Sequence, residues 1–342
     1  MKNFIFFNTQ KLQSIINHRE LEKKIGEKIK CIDENQNIDD FLEKTSAQFI
    51  IYGIEESIGV FANFGRIGTE CAFNEIVKSL VNTQNNYWCK GSWMTILGSF
   101  QFPEYQKELQ SLNINDEADK RLVQQWVSEI DKQVTFLNSK IIQAGKIPIV
   151  IGGGHNNAYG NIKGLSLGKN QAINVVNFDA HTDFRPLEGR HSGNGFSYAF
   201  DEDFLDRYFI FGIHENYTSK KVLKNLQAFE NRILYVTYEA IEIRSEKNFD
   251  LELKHAKDYI KGKPYGVEID LDAIIGTASS AISPSGFTVT QARKFTYAMG
   301  SHSQASYLHI CEGAPLLDSS TPSLIGKLGA YLITDFIKAK KA

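Results

Sequence analysis

The sequence predicts an α/β fold of three layers (αβα), with a mostly parallel central sheet covered by helices on both faces. Three observations predict it. Short runs such as IPIVI (147–151) and INVVNF (173–178) are apolar without alternation, as strands buried on both faces are. Stretches with helical spacing lie between such runs, the longest over 118–144. Crossovers of that length join parallel neighbours rather than hairpins. The chain has 342 residues, 42% of them hydrophobic and 23% charged, which suits one large core.

Residues 1–46 are polar and weakly patterned. They are expected to form an N-terminal extension with some helix, packed on a main domain over 47–342. AQFIIYGI (47–54) reads as the first buried strand, rich in β-branched and aromatic residues. Glycines at 53, 59, 65 and 68 punctuate the loop after it. CAFNEIVKSLV (71–81) has helical spacing, WMTILGSF (93–100) suits a strand, and the helix over 118–144 ends near Gly145. After IPIVI comes a helix from Asn156 to Leu165, then INVVNF and a glycine-bearing loop. DRYFIFGI, RILYV, YGVEI and SYLHIC supply further strands, with helices over 219–229, 250–261, 289–300 and 323–339.

Composition excludes several classes of function. A net charge of -2 gives no reason to expect nucleic acid or an anionic membrane as partner. No apolar run is long enough to span a bilayer, and the start MKNFIFFNTQ lacks the pattern of a secretory signal. The cysteines Cys31, Cys71, Cys89 and Cys311 form no CxxC pair. Scattered thiols of this kind point to a reduced, cytoplasmic protein.

In open parallel sheets functional groups gather beyond the carboxyl ends of the strands. Three such ends carry chemistry. Gly152-Gly153-Gly154-His155 follows IPIVI; the glycines permit a sharp turn that presents His155, although a lone histidine in such a turn is more often structural. Asp179-Ala180-His181-Thr182-Asp183 follows INVVNF. Residues at i, i+2 and i+4 of extended chain share a side, so Asp179, His181 and Asp183 project together. Two carboxylates around one imidazole are a costly cluster without a cation. Glu268-Ile269-Asp270-Leu271-Asp272 ends YGVEI and sets three acids on one face by the same period. Four aspartates and two histidines are too oxygen-rich for one zinc ion and suit manganese, as two ions sharing carboxylates. Two ions about 3.5–4 Å apart make water a nucleophile near neutral pH.

These three segments, in this order and spacing, resemble the ureohydrolase family of arginase, agmatinase and formiminoglutamase. The resemblance runs from about Phe49 to Ile337 and implies the arginase-like version of the predicted fold. It also implies two Mn2+ ions per chain, one held by His155, Asp179, Asp183 and Asp270, the other by His181, Asp179, Asp270 and Asp272. Glu312, in HICEGAP, resembles the family glutamate that orients a cationic amidine or guanidine. Gly154 before His155, Asp183-Phe184-Arg185 and Ser192-Gly193-Asn194-Gly195-Phe196 look most like formiminoglutamase.

The implied activity is hydrolysis of formiminoglutamate to glutamate and formamide, with Asp183 passing a proton to the leaving nitrogen. Arg185, Arg190 and Asn194 are the candidate substrate residues beside Glu312, since a guanidinium fork fits a carboxylate. An arginase-type hydrolysis of arginine to urea is the alternative, and a catalytically inactive metal-binding scaffold is another. Asn156, Glu268 and Ile275 depart from the family pattern beside the candidate ligands. His309, out of phase with Glu312, is expected to face away from the site. A homo-oligomer is expected by analogy with the family.

Overall fold

The structure is a computed structural model and describes residues 1–32, 36–318, 321 and 323–342. Among the described residues nine strands form one sheet: β1 (Phe4–Phe6), β2 (Phe49–Glu55), β3 (Met94–Gln101), β4 (Ile147–Ile151), β5 (Ile173–Phe178), β6 (Leu205–Ile213), β7 (Ile233–Thr237), β8 (Tyr265–Asp270) and β9 (Ala305–Cys311). Their spatial order is β1-β3-β2-β4-β9-β8-β5-β6-β7. Of these strands only β1 pairs antiparallel, against β3.

Both faces of the sheet are buried, which is why its strands read as continuous apolar runs. Alternate residues enter opposite cores. Phe49, Ile51, Ile149, Ile151, Val176 and Phe178 pack on one side. Ile50, Tyr52, Ile54 and Val150 lie on the other side, as do Ile173 and Val175. The first side is covered by the helices Ala72–Val81, Phe249–Ile260, Val289–Gly300 and Ser323–Lys341. The second is covered by Glu117–Gln143, Asn157–Lys169 and the short Gly195–Asp201. This is the three-layer αβα arrangement.

Residues 1–46 contribute the edge strand β1 and two short helices, Thr9–Ile15 and Ile38–Lys44. Phe7, Leu12, Ile16 and Ile25 are buried in the first core, while Phe4, Phe41 and Leu42 are buried in the second. Three helices arise where sequence patterning is silent: Ile58–Ala62, Pro103–Leu109 and Gly195–Asp201. Each is five to seven residues, too short to display a helical period.

Topology positions the site. From β4 the chain crosses to β5, three places along the sheet, then runs outward through β6 and β7. The last two strands, β8 and β9, fill the gap. The chain's direction across the sheet therefore reverses around β4, β9, β8 and β5. Such a reversal opens a crevice beyond the carboxyl ends of the strands.

Candidate metal centre

Each of the four central strands delivers side chains to that crevice: His155 after β4, Glu312 after β9, Asp270 and Asp272 from the end of β8, and Asp179, His181 and Asp183 after β5. His181, Asp183, Asp270, Asp272 and Glu312 line a cavity of about 570 Å³, while His155 and Asp179 are fully buried beside it.

The geometry falls into two groups that share one residue. His155 Nδ1 has Asp183 Oδ2 at 2.9 Å, Asp270 Oδ2 at 3.1 Å and Asp179 Oδ2 at 3.2 Å. His181 Nδ1 has Asp272 Oδ2 at 3.1 Å and Asp179 Oδ1 at 3.6 Å. Asp179 thus turns one oxygen toward each imidazole. Asp270 stands with the first group only, its Oδ1 accepting from the Asp272 amide at 2.8 Å.

A divalent cation fits this arrangement on one observation. His155 Nδ1 is buried with three carboxylate oxygens around it, yet none has hydrogen-bond geometry to it, and Asp272 Oδ1 is also buried without a partner. Oxygens converging on an imidazole nitrogen without bonding to it match the donor set of an oxygen-and-nitrogen metal site. The sets His155, Asp179, Asp183, Asp270 and Asp179, His181, Asp272 could each hold an ion.

Electrostatics agree with the geometry. Burial and the neighbouring Asp272 and Asp179 push the Asp270 carboxyl well above its usual range. Burial, Asp272 and Asp183 likewise push Glu312 up to about 8, against the opposing pull of the His155 amide. Burial disfavours a charged His155, but the surrounding acidic groups outweigh it and raise its pKa well above the ordinary value. The site attracts positive charge from whatever source supplies it.

The backbone is strained where it matters. Asp183 has φ 44° and Glu312 has φ 60°, a left-handed region that non-glycine residues rarely enter. The glycine loop before His155 is tight for a related reason. At Gly153, φ is +69°, and a Cβ there would sit 2.3 Å from Asn157 Nδ2 and 2.6 Å from Glu56 Oε1. Glu56, just beyond β2, is fully buried and holds this loop. Its carboxylate accepts from the amides of Ile58, Gly59 and Gly154 and from the side chains of Asn156 and Asn157. Glu312 Oε1 accepts from the His155 amide at 2.8 Å.

Two expectations about substrate residues are corrected. Arg190 is buried and does not line the cavity. Its guanidinium is spent on Asp131 (2.9 and 3.3 Å), the Asn156 and His191 carbonyls and Asn194 Oδ1. Asn194 is consumed in the same loop: Oδ1 accepts from Arg190 and the His191 amide, and Nδ2 donates to the Gly189 and Pro186 carbonyls. His309 does not line the cavity; it is buried behind His155, with ring centroids 6.0 Å apart.

Arg185 does line the cavity, donating to Asn63 Oδ1 at 2.8 Å and Glu188 Oε1 at 2.6 Å. Sequence reasoning missed Glu56, Asn177 and Lys221. Asn177 donates to Asp179 Oδ2 at 2.8 Å; its place two residues before Asp179, on the same face, was the available signal. Lys221 is an exposed lysine lining the cavity, and nothing in the sequence separates it from its neighbours Lys220 and Lys224.

Residues 91–337 match the family model described as "Arginase family". The chain belongs to the arginase family. Within it, the chain is 31% identical over 210 residues to a formimidoylglutamase of Geobacillus thermodenitrificans, a match covering 59% of this chain and 62% of that relative. It is 25% identical over 289 residues to a formimidoylglutamase of Macrococcus caseolyticus, 83% of each. Among solved structures, Bacillus subtilis formimidoylglutamase is similar at TM-score 0.72 and 17% identity, over 95% of this chain and 94% of that one. Trypanosoma cruzi formiminoglutamase with Mn2+ is similar at TM-score 0.68 and 17% identity, over 93% of this chain and 98% of that one. The two solved structures therefore share this chain's fold.

Proposed function

We propose that this arginase-family chain is a manganese-dependent hydrolase that cleaves the carbon–nitrogen bond of a linear amidine, formiminoglutamate, to give glutamate and formamide. The observation that carries this reading is Asp179, placed between two imidazoles, with Asp183 and Asp270 closing on His155 and Asp272 closing on His181. One ion would be held by His155, Asp179, Asp183 and Asp270, and the other by His181, Asp179 and Asp272. Bound there, the pair supplies Lewis-acid polarisation and lowers the pKa of water. The relatives named formimidoylglutamase, one of them solved with Mn2+, support the substrate and the metal.

The chain's own residues do the rest. Glu312 faces the cavity and takes the positive amidine nitrogens by charge-assisted hydrogen bonds. Asp183, at the wall beside His155, carries a proton on its carboxylate to the leaving nitrogen. Arg185 and Lys221, on the cavity wall, pair with the two carboxylates of a glutamate skeleton, which agmatine lacks. Four scattered cysteines with no CxxC pair suit a reducing compartment such as the cytosol, and among the described residues no helix is long and apolar enough to cross a membrane.

The test is metal analysis of the purified protein together with turnover of formiminoglutamate, arginine and agmatine in manganese. Two ions per chain and formamide release from formiminoglutamate are expected. Urea from arginine with no turnover of formiminoglutamate would overturn the substrate. Metal-loaded protein that turns over none of the three would overturn the catalytic reading.

A further inference from the structure

Behind His155, on the side away from Asp179, Asp183 and Asp270, lies a second buried polar cluster. Glu268 on β8 and His309 on β9 are register partners in adjacent parallel strands. Both are fully buried, as is Tyr307 two residues earlier on the same face. Tyr307 donates its hydroxyl to Glu268 Oε1 at 2.6 Å, and His309 Nδ1 lies 2.5 Å from Glu268 Oε2. His309 Nε2 reaches toward the Gly152 carbonyl at 3.5 Å, at the start of the loop that carries His155. The same Oε2 lies 3.5 Å from His155 Nε2, a buried nitrogen that makes no hydrogen bond of its own.

A carboxylate buried this deeply is costly unless its charge is answered and its oxygens are bonded. Here Tyr307 and His309 bond both oxygens and leave Oε2 facing His155. An imidazole that binds a cation through one nitrogen holds its proton on the other, and a carboxylate beyond that proton fixes both tautomer and ring angle. We propose that Glu268, clamped by Tyr307 and His309, is the positioning residue for His155: it accepts the Nε2 proton and thereby keeps the Nδ1 lone pair directed at the space between Asp179, Asp183 and Asp270. Cys311, whose thiol also lies close to His155, is turned toward the Ile269 carbonyl at 3.6 Å and leaves that role to Glu268.

The inference rests on the two-cation reading above, and its experiment separates the two. Full-length protein is stripped with a chelator and titrated calorimetrically with Mn2+, as wild type, Glu268→Gln and Tyr307→Phe. Wild type should take up two ions. Glu268→Gln should weaken one of them by on the order of 10–100-fold and leave the other unchanged. Tyr307→Phe, which removes one clamp and keeps the carboxylate, should weaken the same ion by a smaller factor. A purely structural cluster would lower the melting temperature in both variants and leave both affinities as in wild type; that result overturns the inference and spares the metal centre. Wild type that binds no manganese overturns both. Should Glu268→Gln fail to fold, Tyr307→Phe decides: unchanged affinity for both ions overturns the inference, and weakening of one supports it.

Discussion

At the scale of single residues, carboxylates of one chemical type are given different tasks by their surroundings. Asp179, fully buried, faces both imidazoles and serves geometry. Asp183 lines the cavity beside His155 and is, on the proposed reading, the acid placed to hand over a proton. Replacing it, as Asp183→Asn, is expected to lower kcat by on the order of 10²-fold or more, read in a steady-state assay with saturating manganese. Lys221 has a milder role, because an exposed cation is screened by solvent. Lys221→Ala should raise KM for formiminoglutamate by on the order of 5-fold with kcat unchanged; an unaltered KM would remove this lysine from the substrate contacts.

Loops and strands set a different kind of constraint. The turn carrying His155 has no regular structure of its own and is held by Glu56, which satisfies five donors from two separate segments. Glu56→Gln keeps the shape but replaces an acceptor-only group by one that donates. It should cost about 3 kcal/mol, measured by urea unfolding, and loosen manganese binding at the His155 end. The loop over 185–197 is secured by the buried Arg190–Asp131 pair at 2.9 Å, with the guanidinium 5.0 Å from the rings of both Tyr159 and Tyr198. Breaking it by Arg190→Ala leaves a buried carboxylate without its partner, which should destabilise the protein by about 3–5 kcal/mol. The loss would appear in the same unfolding experiment, as befits a loop anchor rather than a substrate contact.

Considered as a whole molecule, the fold gathers Asp179, Asp183, Asp270, Asp272 and Glu312 around one crevice. Their mutual repulsion opposes folding until positive charge is bound. Manganese should therefore stabilise the native state strongly, by about 2.7 kcal/mol for each site filled at a hundredfold excess over its Kd. A melting curve recorded with chelator and with manganese measures this. Equal melting temperatures in the two conditions would contradict a cation site in the fold.

The sequence alone determined the layers and the strand ends that carry the candidate ligands, because both are written in short-range periodicities. IPIVI and INVVNF are strands because they carry apolar residues on both faces, and the period of two after INVVNF predicts Asp179, His181 and Asp183 on one side. The tertiary structure decided everything that depends on which strands are neighbours. Insertion of β8 and β9 between β4 and β5 set Glu268, an apparent strand-end acid, behind His155 between Tyr307 and His309. Burial of the loop over 185–197 drew Arg190 and Asn194 inward and left Arg185 and Lys221 on the cavity wall. The physical reason is range: a side chain's direction follows from the backbone within a few residues, whereas its partners are fixed only when distant strands pair and the surrounding core closes over them.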